Sequence, residues 1–225
     1  NIKKMYIQYF SPEIQYFIDN IQFDEQNDMK PLINKLNKYL IQKVPHNFFE
    51  NRNIGENEWI VCEMIRNDSI ENFVAYVNRY ILSLESRIDK SIYETNSFLI
   101  KNKPSLIEYA AFFGSIQIFQ YLKFNYVKLE PTLWLYAIHG QNAEIIHLLE
   151  ENHIKPEDKS FFSCYIESVK CHHNEIAHYI KNNLLKINQN YVKEDEEEEE
   201  DDDDEDDDDG DENVESIDEC AFKYL

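Results

Sequence analysis

Glycine is scarce in this chain, with four among 225 residues, at Gly55, Gly114, Gly140 and Gly210. No G-x-x-x-x-G-K-[ST] or G-x-G-x-x-G can be assembled from them, which excludes the loops that cradle nucleotide phosphates with bare backbone. Long apolar runs are missing as well. No stretch reaches 18 residues, so no segment is expected to span a bilayer. Cysteine occurs four times, at Cys62, Cys164, Cys171 and Cys220, too thinly spread for the disulfide framework of a small secreted domain. Reduced thiols in an intracellular protein, cytoplasmic or nuclear, are expected. The chain begins at Asn1 without a Met, so it reads as a fragment or processed form from which a targeting signal could have been lost.

Basic residues are outnumbered, 22 Lys and Arg against 44 Asp and Glu, for a formal net charge of −22. That charge is local. After Lys193 lie 21 of the acids and one base, Lys223, which leaves 23 acids against 21 bases before it, a net of −2. From Glu194 to Asp209 all 16 residues are Asp or Glu. Mutual repulsion, with nothing apolar to offset ordering, predicts a disordered acidic tail over 184–225 that ends in a short amphipathic stretch.

What the chain has in quantity is repetition. Residues 104–128, PSLIEYAAFFGSIQIFQYLKFNYVK, match residues 131–155, PTLWLYAIHGQNAEIIHLLEENHIK, at a shift of 27. The matches include Pro104/Pro131, Leu106/Leu133, Tyr109/Tyr136, Ala110/Ala137, Ile118/Ile145 and Leu122/Leu149. A third copy follows at a shift of 31, where Glu144, Ile145 and His147 return as Glu175, Ile176 and His178. A divergent earlier copy, Trp59 to Val77, aligns with 105–123 at a shift of 46. A period near 30 predicts stacked helical hairpins. Each hairpin has a first helix after Pro104 or Pro131, with Ser105 or Thr132 as capping candidate, and a turn at Gly114 or Gly140. A second helix follows, whose apolar stripe the neighbouring copy must cover. Losing a neighbour would expose several side chains worth about 1.5–3 kcal/mol each.

Upstream, residues 1–54 carry apolar residues at Ile14, Phe17, Ile18 and Ile21, and again at Leu32, Ile33, Leu36, Leu40 and Ile41. The spacing predicts two amphipathic helices, with Pro12 and Pro31 near their first turns. Pro45 and the stretch NRNIGEN, 51–57, read as breaks. Residues 81–103 read as either an extra helix or an enlarged loop, with Ser91 or Thr95 as candidate N-caps. The resulting organisation is an N-terminal helical preface over 1–54, an array over 55–183 and the tail over 184–225.

SLIEYAAFFG resembles the ankyrin pattern T-P-L-H-x-A-A-x-x-G at Ser105, Ile107, Ala110, Ala111 and Gly114, and IFQYL resembles the I-V-x-x-L that follows it. Over roughly 58–183 the chain is similar to a large family of degenerate ankyrin repeats expanded in unicellular parasites. It departs from the pattern at Leu106 and Leu133 in place of Pro, at Glu108 and Leu135 in place of His, and at Tyr126 and His153 where Gly would end the second helix. The resemblance implies an all-α fold, an ankyrin-like α-solenoid. It also implies a concave contact face made by first helices and inter-repeat loops, with Phe112, Phe113, Tyr136, His139 and Lys170 from the helices and Lys128, Glu130, Lys155, Glu157 and Asp158 from the loops.

No nucleophile, base and orienting group converge in sequence, so no catalytic residue, no cofactor and no enzyme activity are expected. His147 and His178 hold the same place in successive copies and read as outer-face residues of the second helices. Cys171-His172-His173, with Cys164 nearby, has the composition of a metal cluster. Its spacing matches no common zinc motif, and no metal is expected. The 29 Tyr and Phe residues fall mostly in helical stripes and read as core. The expected function is a non-catalytic protein–protein interaction scaffold, monomeric, with neither membrane nor direct nucleic-acid binding. The alternative is an acidic, chaperone-like carrier of basic proteins such as histones through residues 194–212, docking at positions such as Glu194, Glu200, Asp204 and Asp209.

Overall fold

The computed structural model describes residues 2–20, 29–41 and 43–185. The acidic run and the C-terminal apolar stretch, with Glu194, Glu200, Asp204 and Asp209, lie outside the described residues, as do Ile21 and the rest of 21–28. Among the described residues the fold is all-α: thirteen α-helices, one short π-helical turn and no strand. A single isolated antiparallel bridge joins Arg87 to Ser105. The chain divides into two compact units, which meet in sequence after Val127.

In the first unit, α1 (Ile2–Tyr9), α2 (Ser11–Asn20), α3 (Lys30–Asn37) and α4 (Phe48–Ile54) precede the repeats. Pro31 sits in the first turn of α3, where its missing N–H costs nothing. The α4 helix runs through the first half of NRNIGEN, which the sequence suggested as a break. The break comes only at Gly55, whose φ of 73° closes the helix in the left-handed region. Two hairpins follow, α5 (Ile60–Arg66) with α6 (Ile70–Tyr80), and α8 (Leu106–Phe112) with α9 (Ile116–Phe124). First helix packs on first helix and second on second, so the hairpins lie side by side in register. Val61, Ile65, Phe73, Leu106, Ala110, Ile118, Phe119 and Leu122 are buried in this unit.

The insertion over 81–103 is mostly loop, with one short helix, α7 (Ser97–Lys101). Its cap is Asn96, whose side chain accepts from the Phe98 and Leu99 amides. The candidates Ser91 and Thr95 are used elsewhere: Ser91 donates to Glu58, and Thr95 donates to the Gly55 carbonyl. Ser105 does cap α8. It forms a capping box with Glu108, which accepts from the Ser105 amide at 2.7 Å. Thr132 does not cap its helix through its side chain and itself has helical backbone angles.

The second unit holds α10 (Leu133–Gly140) with α11 (Ala143–Glu151), and α12 (Phe162–Lys170) with α13 (Asn174–Tyr179), followed by the π-turn Ile180–Leu184. The α10 and α12 helices pack together. Across the second helices, Tyr179 donates to Glu150 at 2.9 and 3.0 Å and meets the His147 ring edge-on. Trp134 is fully buried, its indole N–H donating to the Ile154 carbonyl at 2.8 Å.

The helix ends repeat more faithfully than the side chains do. Asp68, Gly114, Gln141 and His172 all have φ between 46° and 65°, and they are related by the shifts of 46, 27 and 31 read from the sequence. Tyr126 and His153, which stand where glycine would end a second helix, are left-handed as well, and 27 residues apart. At five of these ends the two amides that follow the helix close back on its last turn. Ser115 N–H reaches the Ala110 carbonyl and Gly114 N–H reaches that of Ala111; Asp68, Tyr126, His153 and His172 and their successors do likewise. This double closure satisfies carbonyls that would otherwise be left over at a helix C-terminus.

Candidate functional site

Among the described residues, the richest grouping of chemically active side chains lies in the second unit, where α10 and α12 end beside one another. His139 comes from the last turn of α10. Glu167 and Cys171 lie four residues apart on α12 and its C-cap, which puts them on one face a turn apart. The Cys171 amide donates to the Glu167 carbonyl at 3.0 Å, and the left-handed turn at His172 fixes where the helix stops. His139 Nε2 is 3.0 Å from Glu167 Oε1, and Cys171 Sγ is 3.5 Å from His139 Nδ1 and 3.8 Å from Nε2. The side chains of His139 and Glu167 are 15 % and 21 % exposed, so the group is half-buried but reachable from solvent. Lys170 stands 3.8 Å from the second Glu167 oxygen. Burial alone would lower the His139 pKa, but the contacts with Cys171 and Glu167 outweigh it and hold the imidazole at about 9. One imidazole, one carboxylate and one thiol thus bring ligand-type atoms within 4.8 Å of one another.

The local cluster suggested by the sequence is taken apart by the fold. Cys164 points into the core, and burial pushes its thiol up to about 12, which leaves it inert as a nucleophile or ligand. His173 pairs with Gln141, and His172 is exposed on its turn. Only Cys171 joins a cluster, and its partners are 4 and 32 residues away. A signal for it was available: Glu167 and Cys171 at i, i+4 on a first helix, opposite the last turn of the preceding first helix.

The residues expected on a contact face are divided by the structure. Tyr136 is 4 % exposed and belongs to the core, so the expectation that it offers contact surface is corrected. Phe112 and Phe113 are half-buried, Phe112 stacked on Phe98 and Phe113 against Tyr109. Asp158 is a structural group: its carboxylate accepts from the Phe161 amide at 3.2 Å and the Ser163 amide at 2.7 Å, at the entry to α12. Lys128 pairs with Glu130 at 2.6 Å. Lys155, Glu157 and Lys170 are exposed, and Lys170 reaches His139 through Glu167. His147 is exposed on a second helix, as expected, 3.0 Å from Glu150.

The first unit contributes an apolar cavity of about 220 Å³, lined by Tyr6, Tyr9, Phe10, Ile92 and Ile100, with Glu94 at its wall. One Glu94 oxygen accepts from the Asn96 amide, the other has no hydrogen-bond partner, and burial pushes the carboxyl's pKa up. No family model, curated protein or solved structure matches the chain significantly.

Proposed function

We propose that the chain is a non-catalytic protein–protein interaction scaffold, an ankyrin-like array of helical hairpins that binds a protein partner along its first helices and connecting turns. One observation carries this reading: in the first unit two hairpins lie side by side in register, in the second the first helices pack together and Tyr179 bridges to Glu150, and left-handed turns recur at matching positions in both. An array of this kind presents a long, repetitive flank rather than one enclosed cleft. His139, Lys170, Lys155 and Glu157 lie on that flank and supply charge of both signs, which favours a polar protein surface over a nucleic acid. The scaffold reading places the protein inside the cell, cytoplasmic or nuclear, where thiols stay reduced.

A second reading is favoured by the run of 16 acidic residues, which would carry basic proteins by charge attraction that weakens with salt. Pull-down of cellular proteins by the full chain and by a version ending at Val192 separates the two. Partners retained by the shortened chain support the scaffold. Capture that disappears with the tail, and with moderate salt, supports the carrier and removes the scaffold reading.

A further inference from the structure

We propose that His139, Glu167 and Cys171 form a binding site for a zinc-class divalent cation, with three protein ligands and one coordination position open on the turn side of the second unit. The donor set is specific in type. Thiolate and imidazole together select borderline and soft ions such as Zn²⁺ over Mg²⁺ and Ca²⁺, whose sites are built from oxygen. Three ligands from mixed side chains with a fourth place left to water or an incoming group is the arrangement of open zinc sites.

The distances suit that role. Ligand atoms held ~2.0–2.3 Å from a tetrahedral ion lie roughly 3.3–3.6 Å from one another. The separations from Nε2, 3.0 Å to the Glu167 oxygen and 3.8 Å to the sulfur, bracket that range. Loading the site turns the imidazole so that Nε2 exchanges its hydrogen bond with Glu167 for the ion, while Cys171 swings toward the shared centre. The Cys171 S–H proton and any proton on Nε2 leave to solvent as the bonds to the ion form. Lys170, 3.8 Å from Glu167, is the cation already in place, and its long exposed side chain moves out.

The same three residue types also make up a thiol nucleophile with its base and orienting acid. A sulfur in line with the Nδ1 lone pair would be far from Nε2, on the opposite side of the ring. The nearly equal distances of 3.5 and 3.8 Å place Sγ against the ring face, so proton transfer, like coordination, needs the ring to turn, and thiol labelling separates the two. Coordination also has a structural consequence that a nucleophile lacks. His139 belongs to one hairpin and Glu167 and Cys171 to the next, so a bound ion pins the two together.

The test uses the reduced full-length chain titrated with Co²⁺, a spectroscopic stand-in for Zn²⁺. The expected result is a thiolate-to-cobalt charge-transfer band that saturates at one equivalent, with the strong visible absorption of a tetrahedral ion, both displaced by Zn²⁺ and not by excess Ca²⁺. Cys171→Ser and His139→Gln each abolish the band with helix content unchanged. Glu167→Gln, which removes a direct ligand, weakens Co²⁺ binding by at least the ~10-fold that loss of a mere supporting partner costs, and Cys164→Ser leaves it intact. The acidic run binds cations through oxygen alone and gives no such band. A wild-type chain without the charge-transfer band, or a band that survives in Cys171→Ser, overturns the proposal. Iodoacetamide labelling of Cys171 far faster than of a free thiol, with no Co²⁺ band, would favour the nucleophile instead.

Discussion

Between residues 60 and 127 the ties at the hairpin turns run to backbone, beside one side-chain tie from Arg66, which donates to the Tyr109 hydroxyl at 3.1 Å. Asp68, in the turn of the first hairpin, accepts from the Gln117 and Ile118 amides at 3.0 Å each and so caps α9 of the second. Ser115 donates back to the Ile65 carbonyl at 2.5 Å. Between residues 133 and 180 the corresponding ties run from side chain to side chain: His139 to Glu167, Gln141 to His173, Tyr179 to Glu150. The helical plan is the same, and the chemistry joining its parts is not. A carboxylate on two backbone amides ties the first pair through the helix N-terminus. An imidazole, a thiol and a carboxylate in contact respond to protons, oxidants and metal ions.

The largest effect expected in the second unit is the loss of Trp134, fully buried and hydrogen-bonded to the chain at Ile154. Trp134→Ala should lower the opening free energy of residues 133–180 by about 3–5 kcal/mol, read by amide hydrogen exchange. An equal fall in protection over 60–124 would dissolve the comparison, because both hairpin pairs would then open as one.

Next comes the backbone-directed tie itself. Asp68→Ala should cost the first unit about 1–2 kcal/mol in denaturant unfolding, and Asp68→Asn, which keeps one acceptor oxygen and sets an NH2 against the other amide, roughly half as much. If the two substitutions cost the same, the carboxylate acts through something other than the α9 N-terminus.

A smaller effect is expected where the second unit does use a carboxylate on backbone. Burial works against ionisation of Asp158, but hydrogen bonds from Ser163 and Phe161 outweigh it and hold its pKa below the ordinary 3.8. Its contribution is therefore complete above pH 3.8 and is lost as the pH falls through the lower folded value. Asp158→Ala should cost about 1 kcal/mol at pH 7, and the gap between wild type and variant should close in strong acid. A gap that stayed constant to pH 2 would mean the carboxylate's charge is irrelevant to the α12 entry.

Much of this was legible in the sequence because period and polarity are written locally. The hairpins, their turn positions and the Ser105 cap follow from spacing that any helix imposes. What could not be read required knowing which faces meet. The shift of 31 that relates Gln141 to His172 does not say that His139 will face Glu167, since a repeat gives the copies but not the rotation between them. Tyr136 was expected on the contact face because the ankyrin resemblance implies that first helices form it, and it is core, on a helix that packs against α12. The local Cys171-His172-His173 cluster misled for the same reason: adjacent residues at a helix end point in different directions, so Cys171 meets His139 while His173 pairs with Gln141.

The left-handed caps give the finest comparison, because they are common to both units. Ile81, 91 % exposed at φ 52°, and Tyr126, 93 % exposed at φ 62°, hold a conformation that costs a side-chain-bearing residue about 1–2 kcal/mol and that a β-branched residue tolerates worst. Glycine removes that cost but loses more backbone freedom on folding. Ile81→Gly and Tyr126→Gly should therefore stabilise by about 0.5–1 kcal/mol each, with Ile81→Gly the larger, seen as a rise in melting temperature of roughly 1–4 °C. His153→Gly should match Tyr126→Gly, since the two close their helices through equivalent amides, while Gly114→Ala should lose about 1 kcal/mol. Should Tyr126→Gly destabilise while His153→Gly stabilises, the ring of Tyr126 has a contact of its own, and the equivalence of the two units ends at their backbones.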